Sequence, residues 1–325
     1  MHPGLGPQAE AELLYVRQLK IPERMRAGED AHPDKAITVA GGVESFPAQI
    51  PSPQPSPRSG GESQQKKLRN GGGEFVVWDV GLGAAANAIA VLRATRDIAR
   101  PLRLASFDNT DGPLEFGLTR AKQLGYFHGY KETTKAVLEN RGVRFTDGAH
   151  EVDWQFYLGD FPAWLANVGA GVPPAHSPTT TALPHGGDRR DARPALSAPH
   201  AIFFDAFSPA KNPAMWTLPL FTDLFRALDP ARPCNLTTYS RSTMFRVTLL
   251  LAGFFVGRGV PMGLKEETTV AANTPKLIEQ PLDHRWLERA RRSDSAEPLH
   301  QSTYVQSPLK VETREKLRSH PQFYS

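Results

Sequence analysis

The sequence predicts an α/β fold: an open, mostly parallel sheet with helices on both faces. Three observations carry that expectation. A run of β-formers, Phe75 to Val80, meets a glycine loop, Gly81-x-Gly83-x-x-Ala86, and then an alanine-rich stretch. From there to about residue 273, short apolar runs alternate with helical periodicity, the pattern of repeated strand–helix units. A hydrophobic fraction of 40% over 325 residues is enough for a sizeable core in one large domain or two small ones.

The elements follow in order. Residues 8 to 26 read as an amphipathic helix, with Leu13, Leu14, Val16 and Leu19 at helical spacing and Pro22 to end or bend it. This gives an N-terminal helical segment over 1–40. Residues 41–73, rich in Pro, Ser, Gly and charge, cannot bury enough apolar surface to offset their ordering entropy and read as a flexible linker or insertion. The main domain, 74–273, opens with the strand FVVWDV and the helix AAANAIAVLRATRD. The strand LRLASFD, two helical stretches, the strand VDWQFYLGD and the short helix FPAWLANV come next. A second low-complexity stretch, about 170–199, reads as a disordered insertion. Then come the strand HAIFFDAF, the helix PLFTDLFRAL, the strand CNLTTYS, the helix STMFRVTLLLAGF and a final strand, TTVAAN. Residues 274–325 are polar and rich in Pro, Arg and Ser, and read as a poorly ordered tail.

Bulk properties exclude several classes. The single cysteine, Cys234, rules out an intramolecular disulfide framework and a cysteine-based zinc finger. The ten histidines show no metal-ligand spacing, so no metal is expected. No apolar run approaches the ~20 residues of a membrane helix, and the N-terminus lacks a basic region followed by an apolar core. A cytoplasmic protein is the expectation. The net charge of +4 is too small to demonstrate nucleic-acid binding.

A glycine loop after a buried strand lets the backbone approach a ligand beside a helix N-terminus. Three acids narrow the ligand. Asp79 lies two residues before Gly81, Asp108 ends the second strand and Asp160 follows the third. Carboxylates at the ends of successive strands converge on the crevice where open α/β sheets bind ligands. An acid beside the loop opposes a phosphate-bearing dinucleotide and suits S-adenosyl-L-methionine, which has no phosphate and carries a cationic sulfonium and an amino group. Asp108 is placed to accept from ribose hydroxyls and Asp160 from an adenine amino group. Each of these acids also has a plain structural reading as a surface or capping Asp.

The segment FFDAFSPAKNPAMWTLPLF, residues 203–221, is more specific. It resembles the methyltransferase domain of the MnmC proteins, which modify the wobble uridine of certain tRNAs. The family stretch Asp-Gly-Phe-x-Pro-x-Lys-Asn-Pro-x-Met-Trp is matched at eight of twelve positions, by Asp205, Phe207, Pro209, Lys211, Asn212, Pro213, Met215 and Trp216. The loop WDVGLGAAANAI is similar to the family's, with Asp79, Gly81, Gly83 and Asn87 matching and Ala85 replacing its third glycine, a change expected to narrow the space around the methionine moiety. The likeness covers roughly 75–273, apart from the second low-complexity stretch.

The resemblance implies a class I, Rossmann-like methyltransferase fold, S-adenosyl-L-methionine as cofactor, and N-methylation of an aminomethyl-uridine in tRNA. It implies cofactor contacts at Asp79, Gly81, Gly83, Asn87, Asp108 and Asp160. Asp205 is the candidate to orient the acceptor amine and take its proton. Phe207 and Trp216 are candidates to wall the acceptor pocket, with core packing as the alternative for each; Tyr239 reads as a core tyrosine that can also line the site. Pro209 and Asn212 are candidate substrate contacts, with Asn212 and Pro213 also reading as turn formers, and Lys211, Lys265, Arg241 and Arg246 are candidate contacts to RNA. The family's FAD-dependent oxidoreductase half has no counterpart after Asn273, so a separate oxidoreductase is the expected source of substrate. The same chemistry on another small amine, and a non-catalytic protein on this fold, are the competing readings.

Overall fold

The computed structural model describes residues 6–28, 73–169, 196–262 and 266–324. The low-complexity stretches predicted near 41–73 and 170–199 therefore lie almost wholly outside the described residues, as does Lys265.

Eight strands form one sheet. They are β1 (Phe75–Val80), β2 (Leu102–Asp108), β3 (Gly142–Asp147), β4 (His150–Leu158), β5 (Ala201–Phe204), β6 (Asn235–Thr238), β7 (Phe255–Gly259) and β8 (Thr268–Ala272). Their order is β3-β4-β2-β1-β5-β6-β8-β7. The five inner strands run parallel, whereas β3, at one edge, and β8, next to β7 at the other, run antiparallel to their neighbours. The sequence reading omitted β3 and β7. The first is a half-exposed edge strand, and two glycines interrupt the apolar pattern of the second.

Helices cover both faces. All six residues of β1 are buried, and they alternate between two cores. Val76, Trp78 and Val80 face one core, while Phe75 and Val77 face the other. The second face is covered by the N-terminal helices α1 (Pro7–Ala11) and α2 (Ile21–Ala27), with α3 (Ala86–Thr95) beside them, and by α4 (Gly112–Thr119), α5 (Ala121–Leu124) and α6 (Lys131–Asn140). Between α1 and α2 the chain winds as a π-helical turn, Glu12–Arg17, with Gln18 N donating to Leu13 O. The single helix predicted for 8–26 is broken in two at the turn before Ile21, where Lys20 is left-handed at φ +50, and the wider π turn buries three consecutive residues, Leu14, Tyr15 and Val16. The segment is bolted to the sheet: Arg24 donates to Asn235 Oδ1 at 2.6 Å and to the carbonyls of His200 and Pro233.

The first face is covered by α7 (Phe161–Gly169), α8 (Leu218–Arg226), α9 (Thr243–Ala252) and the C-terminal segment. Here the expectation of a poorly ordered tail is corrected. Residues 284–291 and 311–318 form helices α10 and α11, and Leu282, Trp286, Leu287, Leu299, Leu309, Leu317 and Phe323 are buried in this core. Buried Glu297 accepts from Thr313 Oγ1 and Lys310 N, both at 3.0 Å. Gln322 exchanges hydrogen bonds with the Val256 backbone, extending the order beyond α11. The apolar residues are spaced widely among charges, which hides the face they share.

Candidate functional site

The strand order runs outward from β1 in both directions, so the carboxyl ends of β1 and β5 flank the point where open α/β sheets bind ligands. A cavity of about 590 Å³ opens there. It is lined by the loop Gly81–Ala84, by Asn87, Asp108, Asp160 and Asp205–Phe207, and by Asn212, Met215 and Tyr239.

The glycine loop is shaped by its backbone. Gly81 has φ +97, and a Cβ there would meet the Asp205 carbonyl oxygen at 2.6 Å, so only glycine lets the two loops approach. The amides of Gly81 and Leu82 both donate to Phe107 O, that of Ala85 to Leu82 O, and that of Gly83 to Asp108 Oδ2 at 2.9 Å. The loop therefore spends these amides on the protein itself rather than aiming them at a pyrophosphate.

The side chains complete that chemistry. Four acids, Glu10, Asp108, Asp160 and Asp205, line the cavity, and no lysine, arginine or histidine does among the described residues. Such a wall suits a cationic, hydroxyl-bearing ligand and repels phosphate. S-adenosyl-L-methionine fits on these grounds.

The predicted residues separate in space. Asp205 and Asn87 meet: Asn87 Nδ2 donates to Asp205 Oδ2 at 3.1 Å. Asp160 lines the cavity and also accepts from Ala163 N at 3.0 Å, so it caps α7 as well. Phe207 is 64% exposed at the cavity wall. Tyr239 lines the cavity too, with its hydroxyl donating to Ala206 O at 3.1 Å.

Other residues lie elsewhere. Trp216 is fully buried, packed edge-on against Phe204 and Phe245, and its indole N–H donates to Phe207 O at 2.7 Å. It supports the cavity wall at Phe207 from behind. Arg246 is buried and paired with Glu267 at 2.8 Å, which removes it from the candidate RNA contacts. Lys211 is exposed and, like Pro209, does not line the cavity; Arg241 lies at a separate cavity shared with Arg258 and Glu267.

Asp79 is wholly buried behind the loop rather than in the cavity, and accepts from Ser106 Oγ at 3.1 Å. Burial, reinforced by Asp205 and Asp108, pushes its pKa up to about 8. Ala85 is likewise out of the cavity, with its methyl buried and its backbone left-handed at φ +62. The missing third glycine thus appears as backbone strain, not as lost cofactor space.

Sequence reasoning missed Tyr15, Phe116, Tyr126 and Met262, which also line the cavity. The ELLYV stretch is the one signal for Tyr15, and it reads as simple amphipathic helix.

Residues 188–274 match the model of a family described as S-adenosyl-L-methionine-dependent methyltransferase. The chain is 43% identical over 82 residues to the tRNA 5-methylaminomethyl-2-thiouridine biosynthesis bifunctional protein MnmC of Ectopseudomonas mendocina, covering 25% of this chain and 12% of that protein. It is 39% identical over 87 residues to the protein of the same name from Ralstonia nicotianae, covering 26% and 13%. The matched region is thus about an eighth of the length of these relatives. The crystal structure of MnmC2 from Aquifex aeolicus superposes with a TM-score of 0.54 at 18% identity, covering 96% of this chain and 75% of that one, and so shares the fold. The chain is thus similar to MnmC proteins over a stretch of 82 to 87 residues, matches on residues 188–274 a family described as S-adenosyl-L-methionine-dependent methyltransferase, and shares the fold of MnmC2.

Proposed function

We propose that the chain N-methylates an aminomethyl-uridine at the tRNA wobble position, with the cofactor held against the Gly81–Gly83 loop. The observation that carries the reading is the single cavity joining that loop to Asp205 and exposed Phe207. The names of the MnmC relatives supply the acceptor class.

S-adenosyl-L-methionine, when bound, supplies a methyl group that the acceptor nitrogen takes as the C–S bond breaks with its electron pair left on sulfur. Gly81 and Gly83 let the backbone approach the cofactor, Asp108 accepts from its ribose hydroxyls and Asp160 from its adenine amino group. Asn87 holds one oxygen of Asp205. Asp205 orients the amine and accepts the proton that leaves nitrogen. Phe207 offers its exposed ring for stacking on the base. A separate FAD-dependent oxidoreductase would supply the free amine, and the reaction belongs to the cytoplasm.

The test combines purified chain, methyl-labelled S-adenosyl-L-methionine and tRNA bearing aminomethyl-uridine, followed by nucleoside analysis. Label in the methylaminomethyl nucleoside is expected. Cofactor binding by calorimetry without transfer to that tRNA would reject the acceptor, and absence of binding at millimolar cofactor would reject the enzyme.

A further inference from the structure

We propose that Tyr15, delivered by the N-terminal π turn, is a positioning residue for Asp205, a role that rests on the methyl-transfer reading above. Its hydroxyl fixes the direction of the carboxylate that faces the acceptor nitrogen.

Four observations support this. Tyr15 lines the same cavity as Asp205 although it lies 190 positions away in sequence. Its side chain is 3% exposed, and its ring packs on Phe203, two residues before Asp205, with centroids 5.1 Å apart. Residues i and i+2 share a face of a strand, so the ring lies on the face toward which Asp205 continues. The hydroxyl is buried and completes no hydrogen bond within standard geometry, yet the Asp205 carboxylate is near enough to join burial in raising the phenol pKa. A buried hydroxyl left without a bond is costly, which favours its donating to the nearby Asp205 carboxylate.

The backbone adds the fourth. π turns are rare, and they are found frequently at functional sites. This one swings Tyr15 inward while Gln18, one residue past its end, reaches Thr237, Thr268 and the Val260 amide. The turn is therefore held rigidly against β6 and β8, whatever occupies the cavity. The groups around the hydroxyl are Asp79 from β1, Asp205 after β5 and Tyr239 after β6, with Asn87 from α3 bonded to Asp205 on another side. Asp79 is sealed behind the loop with its pKa pushed up to about 8, so Asp205 is the carboxylate of the two that lines the cavity beside the phenol.

Tyr15→Phe keeps the ring on Phe203 and removes only the hydroxyl. kcat is expected to fall roughly tenfold to a hundredfold, as for other outer-layer positioning groups. The calorimetric Kd for S-adenosyl-L-methionine and the urea midpoint should stay near their wild-type values. The acid limb of the kcat/KM profile should move to higher pH, because the carboxylate loses a donor. An unchanged kcat and pH profile would overturn the proposal, as would a loss that tracks cofactor affinity alone. A second measurement needs no acceptor and no Tyr15 variant. With 13Cζ-labelled tyrosine, the Tyr15 resonance should titrate at lower pH in Asp205→Asn than in wild type, and equal titration would refute the coupling. Coupling without methyl transfer to tRNA would reject only the acceptor reading.

Discussion

Asn87 Nδ2 donates to Asp205 Oδ2 across 3.1 Å, tying the first turn of α3 to the end of β5. The bond links the helix after the glycine loop to the Asp205–Phe207 segment, so two walls of the cavity share one carboxylate. Asn87→Ala should lower kcat about tenfold, in line with outer-layer hydrogen bonds, at a stability cost of about 1 kcal/mol. Steady-state kinetics beside urea unfolding would check it. A loss of stability with kcat intact would show the bond to be structural only.

Gly81→Ala should fail for two reasons that act together. The new methyl would sit 2.6 Å from Asp205 O, and φ +97 is unfavourable for any L side chain. Backbone must move, and strain of this kind costs about 1–3 kcal/mol before any clash is counted. The urea midpoint should drop and cofactor binding should weaken together. Ala85→Gly, outside the cavity, should leave cofactor affinity unchanged, since relief of its left-handed backbone is offset by loss of a buried methyl.

Asp79 makes stability depend on pH in an unusual direction for a carboxyl. The unfolded group releases its proton near 3.8 and the folded group near about 8. Its contribution is full below the lower value, declines as pH rises through that window at up to about 1.4 kcal/mol per unit, and levels off above it. Asp79→Asn removes the titrating group. Denaturation from pH 4 to 8.5 should therefore show a shallower decline than wild type, and parallel curves would exclude the burial of a neutral acid.

Phe116 is 62% exposed and Phe207 64% exposed, and both line the cavity. Neither holds the core together. Alanine at either should raise KM for the proposed nucleic-acid acceptor roughly fivefold to a hundredfold, since a stacking contact is worth roughly 1–3 kcal/mol, and leave Tm unchanged. An unaltered KM would move the acceptor elsewhere.

Trp286 tests the C-terminal correction. It is 3% exposed within the core under the sheet. Trp286→Ala should cost about 3–5 kcal/mol, read by urea unfolding. A change below ~0.5 kcal/mol, the surface range, would return the segment to the status of a tail.

The sequence made some of this visible and hid the rest for physical reasons. Buried parallel strands announce themselves as unbroken apolar runs, which is why FVVWDV and HAIFFDAF were plain. Edge strands bury one face or less, so β3 was lost among polar residues. The loop acids were legible as types but not as depths: Asp79 and Asp108 are 29 positions apart, and only the packing shows that one is sealed and the other open. Trp216 was ambiguous because an aromatic in a signature serves equally as wall or as foundation. Tyr15 was invisible because a π turn has no sequence period of its own, and its partner comes from the other half of the chain.

The ring of Phe75 takes two guanidinium groups within cation–π reach, Arg24 at 5.6 Å and Arg100 at 5.2 Å. Arg24 belongs to the last N-terminal helix, and Arg100 also holds the Gly73 carbonyl at 2.7 Å. One aromatic thus clamps the chain both before residue 29 and after residue 72. Contacts on both sides of that stretch predict that the N-terminal helices stay docked when the chain is divided between them. A fragment beginning near residue 73, mixed with a synthetic peptide of residues 1–28, should regain methyl transfer in proportion to peptide added, turning a built-in segment into a titratable activator; no recovery at saturating peptide would show that the linkage itself is needed.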